Sequence, residues 1–210
     1  MDKNFYITTP IYYPSAKPHM GHAYSSIIAD FFARLKKIDG YEVFFLTGTD
    51  EHGLKIQRAA EKKGIPTLDF CNEISKTFKE LSKTLNLINS DFIRTTENRH
   101  KKSVQHLWKE LVKNNEIYLS KYSGWYSVSD EAFYNDDEIE NKDGRKIAKL
   151  SKSEVEWVDE ESYFFRLSKW EKPLLDFYDQ NPDFISPASR RNEVISFVKN
   201  GLKDLSVSRK

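Results

Sequence analysis

A strand–helix–strand pattern in the first fifty residues constrains the fold of this chain more than any other feature. Residues 5–9 are rich in aromatic and β-branched side chains, which predicts a strand. Apolar residues then recur at spacings of three and four from Ile27 to Ile38, which predicts an amphipathic helix ending near Gly40. The short apolar run at residues 42–47 is typical of a strand buried in a parallel sheet. Together these elements form a βαβ unit, so an α/β fold is expected.

The same alternation continues to about residue 115. It predicts a further strand and three further helices, in chain order at residues 54–63 (helix), 67–85 (helix), 91–95 (strand) and 98–114 (helix). Ligands of parallel α/β sheets bind beyond the carboxyl ends of the strands. The loops at residues 10–21 and 48–53 follow two such ends. We therefore expect the chemistry of the protein to lie in these two loops.

After about residue 115, short aromatic segments alternate with polar turns, which predicts a small antiparallel, β-rich insert. The strand segments expected in the insert are residues 116–119, 124–128 and 155–158. Helices are expected around residues 170–181 and 191–200. The predicted organisation is therefore two domains, residues 1–115 and residues 116–210.

Composition excludes several classes of protein. No apolar run approaches the roughly 20 residues that a membrane-spanning helix needs, so no membrane association is expected. The one cysteine, Cys71, excludes disulfide frameworks and Cys-rich zinc modules, and its helical position suggests a core residue. A formal net charge of +1 excludes a generally basic, phosphate-coating protein. The first residues resemble neither a signal nor a transit peptide, so we expect a cytoplasmic protein.

Two histidines, His19 and His22, lie at the predicted junction between the first strand and the first helix. A helix N-terminus presents unpaired N–H groups and a partial positive charge, and imidazoles there can donate hydrogen bonds to phosphoryl oxygens. Gly21 would let a flat ring lie close to the backbone. The pattern predicts a site that stabilises charge on a phosphorus centre. A metal-binding pair and ordinary surface histidines are the alternatives, although no third ligand of the usual kind lies nearby in sequence.

The second loop holds Asp50, Glu51 and His52 between two glycines at the end of a buried strand. One interpretation is a turn with solvated acids. The other is a carboxylate at the strand end that binds an ammonium group. If the two loops meet at neighbouring strand ends, an anion site lies beside a cation site. That pairing suits a zwitterionic amino acid next to the phosphates of ATP.

The two loops, residues 10–22 and 47–53, resemble those of the methionyl-tRNA synthetases, a family of class I aminoacyl-tRNA synthetases. In this resemblance, residues 19–22 correspond to the HIGH element. Further similar stretches follow in family order at residues 91–96, 99–102, 163–167 and 191–194, so the resemblance covers essentially the whole chain. It implies a Rossmann-like parallel sheet, of which residues 1–115 form the first catalytic half, with residues 116–210 as the inserted connective peptide.

The resemblance also implies the roles of six residues. Three residues belong to the methionine site: Ile11 and Tyr13 line the pocket for its side chain, and Asp50 binds its ammonium group. Those of the ATP site are His19, Gly21 and His22, with the two histidines catalytic. The implied reaction is attack of the methionine carboxylate on the α-phosphorus of ATP, accompanied by Mg²⁺. The methionyl group then passes from methionyl-adenylate to tRNA(Met).

Two departures from the family pattern affect these expectations. Many members carry C-x-x-C pairs and bind zinc in the connective peptide, whereas residues 126–130 here hold Ser and Asp. We expect a zinc-free type with no metal site. Residues 149–153 nearly spell KMSKS, the other class I signature, but the family places that loop much farther along the chain. We expect the similarity to be coincidental.

No second catalytic half and no anticodon-binding domain is recognisable, which predicts the N-terminal part of a longer synthetase, inactive when alone. Two other functions stay open at this point. One is a stand-alone H-x-G-H nucleotidyltransferase, but the loop at residues 50–53 and the aromatic insert both argue against it. The other is a non-catalytic nucleic-acid-binding module, but the slight acidic excess over residues 113–210 argues against it.

Overall fold

The computed structural model describes residues 3–130, 132–142 and 144–208, apart from the side chains of residues 122 and 160. The chain divides into two compact units, Met1–Gln105 and His106–Lys210. Helix α4 runs across this division, so each unit is described by itself. The assignment of residues 1–115 and 116–210 to functional domains stays a prediction.

The first unit is built on a three-stranded parallel sheet, which confirms the predicted α/β class. Its elements are β1 (Asn4–Thr8), α1 (Met20–Ile38), β2 (Glu42–Thr49), α2 (Leu54–Lys63), α3 (Thr67–Thr84), β3 (Asp91–Arg94) and the start of α4 (Asn98–Lys113). The strand order is β1-β2-β3, with Ile7 opposite Phe45 and Thr47 opposite Phe92. The carboxyl ends of β1 and β2 therefore lie side by side, as the sequence pattern requires.

Helix α1 packs its small residues on the sheet and leaves its large apolar residues outside. Ala29 and Ala33 are buried against Phe45 of β2. By contrast, Phe31 is 61% exposed and Ile38 is 84% exposed. Small side chains let a helix approach a strand closely. The predicted helix is confirmed, but the apolar stripe that identified it is not the face that the sheet buries.

Close packing holds β3 against β2. A Cβ atom at Gly48 would lie 2.0 Å from the carbonyl oxygen of Ile93, so no side chain fits at that position of β2. Asp30 of α1 supports the approach to β3, because its carboxylate accepts the N–H of Ile88 at 2.6 Å and the Nε of Arg34 at 2.6 Å. The end of β3 is thereby fixed beside the end of β2.

A second core fixes the loop that follows β1. Tyr12 is 2% exposed and stacks on Phe78 of α3, with 4.9 Å between ring centroids. The rest of this core comes from α2 and α3: Ile56, Ala60, Phe70, Cys71 and Ile74. Cys71 is 1% exposed, which confirms it as a core residue. The loop thus lies on packed helices.

The second unit contains an antiparallel sheet of order β5-β4-β8-β9 and the hairpin β6-β7. Its strands are β4 (Ile117–Ser127), β5 (Ala132–Tyr134), β6 (Ile139–Lys142), β7 (Arg145–Ala148), β8 (Glu156–Phe165) and β9 (Leu205–Ser206). The predicted β-rich character is confirmed. The two segments expected at residues 116–119 and 124–128 are one strand, since Gly124 pairs with Val158 inside the ladder rather than ending it.

Two helices follow β8 in the second unit. They are α5 (Glu171–Gln180) and α6 (Ala188–Lys199), and α6 begins three residues before the predicted start, directly after Pro187. Proline cannot donate a backbone hydrogen bond and suits a helix start. In the part of the chain that the structure describes, no helix is both long and apolar enough to cross a membrane.

Candidate functional site

The two histidines of the first loop cap α1 reciprocally. The Nδ1 of His19 accepts the backbone N–H of Gly21 at 3.1 Å. The Nδ1 of His22 accepts the backbone N–H of His19, also at 3.1 Å. The arrangement is a capping box in which imidazoles take the places usually held by Ser or Thr and by Glu or Gln. It fixes both rings at the start of the helix, with 3.8 Å between their centroids.

The capping bonds also decide which ring nitrogen carries the proton. An Nδ1 that accepts a hydrogen bond is unprotonated, so each neutral ring carries its proton on Nε2. The pKa of His22 is lowered by burial and, to a smaller extent, by the neighbouring His19. His22 is therefore neutral at physiological pH. The helix start thus holds imidazoles that can donate through Nε2 to an oxyanion, beside a partial positive charge.

Gly21 is needed for the ring of His19 itself. A Cβ atom at residue 21 would lie 2.9 Å from Cε1 and 3.1 Å from Nδ1 of that ring. Real Cβ atoms avoid such distances, so any side chain here would displace the ring. The sequence pattern suggested room for a flat ring above the glycine, and the structure shows the ring of His19 against it.

The second loop is tied to the first by backbone hydrogen bonds. The N–H of Tyr12 donates to the carbonyl of Gly48 at 2.8 Å, and the N–H of Asp50 donates to the carbonyl of Tyr12 at 2.8 Å. A parallel bridge between Tyr12 and Thr49 lies at the same place. Asp50 and the residues beside Tyr12 are therefore held at one edge of the sheet, as the neighbouring strand ends predict.

Asp50 presents a free carboxylate at this edge. It is half-buried, and within the described ranges its side chain accepts no hydrogen bond and forms no ion pair. A cavity of about 380 Å³ opens beside it. The cavity is otherwise lined by His52, Thr95, His100, Lys101, Val104 and Gln105. Such a carboxylate can accept an ammonium group.

Ile11 and Tyr13 flank the buried Tyr12 in the first loop. Ile11 is 44% exposed, so its side chain is open to a ligand. Tyr13 is half-buried and packs against the core around Tyr12. The structure thus brings Ile11, Tyr13 and Asp50 to the same pair of strand ends.

Sequence reasoning missed the most buried charge of the site. Glu51 is 3% exposed and forms a bidentate ion pair with Arg94 at the end of β3, with N–O distances of 2.7 and 2.9 Å. The hydroxyls of Thr49 and Thr96 also donate to this carboxylate. The interpretation of a turn with solvated acids is therefore wrong for Glu51. A signal was present, since Arg94 is a cation in a predicted strand, and a cation that such a strand buries needs a partner.

The hydrogen bonds keep Glu51 ionised. Burial alone would raise the pKa of its carboxyl group, but the hydrogen bonds from Arg94, Thr96 and Thr49 outweigh burial and lower the pKa. Asn72 of α3 accepts a further hydrogen bond from the guanidinium at 2.8 Å. Because the lone pairs of Glu51 are occupied, Asp50 is the carboxylate of this loop that a ligand can reach.

The KMSKS-like residues lie in the turn between β7 and β8, where local contacts hold them. Lys152 pairs with Glu140 at 2.8 Å, and Lys149 donates to the carbonyl of Asp137. Ser151 and Ser153 both donate to Asp130. These contacts all lie inside the second unit. The turn therefore has structural partners for both lysines and both serines.

The same cluster includes Asp130, the last residue of the stretch 126–130 that holds no cysteine. Asp130 accepts the hydroxyl of Tyr134 at 2.7 Å as well as those of the two serines. Hydrogen bonds from Ser151, Ser153 and Tyr134 lower its pKa to about 2. Among the residues with described placement, no three His, Cys, Asp or Glu side chains are grouped so that they could hold a metal ion.

Comparison with known proteins identifies similar sequences over the whole chain. The family of class I tRNA synthetases (M) matches residues 5–210. The chain is 54% identical to methionine–tRNA ligase of Rickettsia bellii over 209 residues, which is all of this chain and 40% of that protein. Its identity to the Rhizobium meliloti enzyme is also 54%, over 206 residues, 98% of this chain and 40% of the relative. The chain thus spans about 40% of the length of these relatives.

A solved structure shows the same fold. Mycobacterium tuberculosis methionyl-tRNA synthetase in complex with methionyl-adenylate superposes on this chain with a TM-score of 0.92 at 48% sequence identity. The match covers 99% of this chain and 41% of that protein. The match includes the insert. It therefore argues against the two alternatives, a stand-alone nucleotidyltransferase and an independent nucleic-acid-binding module.

Proposed function

The chain belongs to the class I methionyl-tRNA synthetases, and we propose from this premise that the full-length protein is a methionine–tRNA ligase of protein synthesis. The observation that carries the proposal is the meeting of two sites at neighbouring strand ends. One is the pair of imidazoles at the start of α1, and the other is the free carboxylate of Asp50. An anion site beside a cation site suits methionine next to ATP.

In the proposed reaction, Asp50 binds the ammonium group of methionine, while Ile11 and Tyr13 contact its side chain. A carboxylate oxygen of methionine attacks the α-phosphorus of ATP. The new oxygen–phosphorus bond forms as the bond to the bridging oxygen breaks, and pyrophosphate leaves with the electron pair. His19 and His22 donate from Nε2 to phosphoryl oxygens, where negative charge grows in the transition state. A hydroxyl of the terminal ribose of tRNA(Met) then attacks the carbonyl carbon of methionyl-adenylate, and AMP leaves as the ester bond forms.

ATP would enter as its magnesium complex. Since the described side chains provide no cluster of three metal ligands, the ion would be held by phosphate oxygens and water. Mg²⁺ commonly keeps several waters and is bound largely through substrate phosphates. The place of this chemistry would be the cytoplasm, where aminoacyl-tRNA is consumed.

We assign residues 1–115 to the first half of the catalytic domain and residues 116–210 to a zinc-free connective peptide. The cations that face pyrophosphate would come from a loop other than residues 149–153, because those lysines already have partners within the insert. Residues 1–210 alone should therefore not form the adenylate at a useful rate.

The proposal is tested by pyrophosphate exchange. The full-length protein should exchange labelled pyrophosphate into ATP when methionine is present. Leucine, isoleucine and valine, added separately, are the controls and should drive little exchange. Exchange that depends on another amino acid would contradict the assignment.

Metal analysis should find no stoichiometric zinc in the purified full-length protein. In place of cysteines, residues 126–130 offer serine hydroxyls and one carboxylate that three hydroxyls already occupy, and these are poor ligands for a tetrahedral structural site. Treatment with a chelator should leave the melting temperature unchanged. About one zinc per chain after dialysis would show that the connective peptide is not of the zinc-free type.

Replacing Lys152 in the KMSKS-like turn should leave adenylation nearly intact. In the full-length protein, Lys152→Ala removes an exposed ion pair with Glu140, and the exchange rate should stay within about twofold of wild type. Lys172→Ala, which removes an exposed pair on α5, is the matched control. A hundredfold loss for Lys152→Ala alone would place this turn in the active site.

A further inference from the structure

The Glu51–Arg94 ion pair begins at the residue next to Asp50, and the proposed reaction assigns it no role. The Glu51 side chain is fully buried, with 0% exposure, and that of Arg94 is 17% exposed. Both oxygens of Glu51 are used, since Oε1 accepts from Arg94 and Thr49, and Oε2 accepts from Arg94 and Thr96. A salt bridge with this degree of burial is weak evidence of a gain in stability over an apolar pair.

The pair joins three elements at the place where the ammonium group would bind. Glu51 follows β2, Arg94 ends β3, and Asn72 of α3 accepts from the guanidinium at 2.8 Å. The backbone of the loop is fixed in the same way, because the N–H of Glu51 donates to the hydroxyl of Thr95 at 2.8 Å. The carbonyl of Glu51 faces the thiol of Cys71 at 3.8 Å. Residue 51 thus has few alternative positions.

Asp50 has no such support of its own. Its side chain has no partner in the described ranges, and only its backbone N–H is bound, to Tyr12. The direction of its carboxylate therefore depends on the backbone between Thr49 and Glu51. That backbone is held by the hydroxyl of Thr49 on one side and by the ion pair on the other.

We propose that Glu51 and Arg94 are positioning residues that hold the Asp50 carboxylate in place for the ammonium group of methionine. The pair also withholds the second carboxylate of the loop from the substrate, so that one acid faces one ammonium. This inference rests on the proposed function of Asp50. It adds that recognition of methionine depends on two residues that do not touch it.

The experiment measures the KM for methionine and the KM for ATP in pyrophosphate exchange by the full-length protein. Glu51→Gln keeps the shape of the side chain and removes its charge. We expect it to raise the KM for methionine about tenfold or more and to leave the KM for ATP within about twofold, since small misplacements of a binding group have large effects. Arg94→Lys, which cannot form the bidentate contact, should act in the same direction.

The matched control is Asp30→Asn. Asp30 is also a buried carboxylate, 8% exposed, paired with an arginine, and it lies on α1 away from the Asp50 loop. The Asp30→Asn variant should have a lower melting temperature but no selective rise in the KM for methionine. If Asp30→Asn and Glu51→Gln shift the two KM values alike, the Glu51 pair has a merely structural role and the proposal is wrong.

A double-mutant cycle shows whether Glu51 acts through Asp50. In the Asp50→Ala background, Glu51→Gln should change the affinity for methionine within about twofold, because the group that it positions is gone. Equal effects of Glu51→Gln in both backgrounds would overturn the proposal.

If Glu51→Gln fails to fold, Thr96→Val is the second variant, because it removes one hydrogen bond to the same carboxylate. It should raise the KM for methionine by a smaller factor and leave the KM for ATP unchanged. Failure of the wild-type protein to exchange pyrophosphate with methionine would instead contradict the proposed function.

Discussion

Replacing Asp50 with alanine in the full-length protein is expected to weaken methionine binding about a hundredfold or more and to spare ATP binding. Removing one member of a desolvated carboxylate–ammonium pair costs about 3–5 kcal/mol, which corresponds to roughly a hundredfold or greater loss of affinity. Among the residues that the structure describes, the Asp50 side chain has no partner, so its removal should lower the melting temperature little. Isothermal titration with methionine, and separately with ATP, measures both effects.

Asp50→Asn is the control for shape, because it keeps the side-chain volume and loses the charge. It should weaken methionine binding nearly as much as alanine does. If Asp50→Ala weakens both ligands equally, the residue shapes the loop instead of binding substrate. A large loss of stability would point to the same conclusion.

Replacing His19 or His22 with alanine should reduce the rate of adenylation by about 10²-fold or more, the scale for loss of a transition-state donor. Methionine binding should change little. The measurement is pyrophosphate exchange at saturating methionine. Each histidine also caps α1, so alanine removes a structural contact as well, worth about 1 kcal/mol of folding stability.

Cap-retaining variants separate the two effects. His19→Asn keeps an acceptor for the N–H of Gly21, and His22→Gln keeps one for the N–H of His19. Both should restore most of the melting temperature and leave the rate low. If the rate recovers together with the melting temperature, the histidines are caps and the phosphate site lies elsewhere.

Local patterns predicted the two loops because the relevant signals are local. His19 and His22 are three residues apart, and their relation to a helix start can be recognised in a short window. Asp50 follows an apolar strand, and the carboxyl ends of parallel strands are known places for ligands. The structure ties Asp50 to Tyr12 by a backbone hydrogen bond, and the ring of Tyr12 contacts that of His22 with 5.3 Å between centroids.

The contacts that support the loops were not predictable in the same way. Glu51 and Arg94 are 43 positions apart, and their pairing depends on how closely β3 approaches β2 at Gly48. Likewise, the spacing of apolar residues identified α1 but not the surface that it faces, because periodicity does not specify a partner. The segments predicted at residues 116–119 and 124–128 are one strand, because the pairing of β4 with β8 continues between them.

The exposed apolar face of α1 affects how readily this polypeptide aggregates. Phe31, Ile27 and Ile38 are at least half exposed, and β1 is an edge strand of its sheet within the described residues. An apolar helix face beside an open strand edge is a template for aggregation. While a ribosome is still extending the chain, this surface is the one that holdase chaperones would bind.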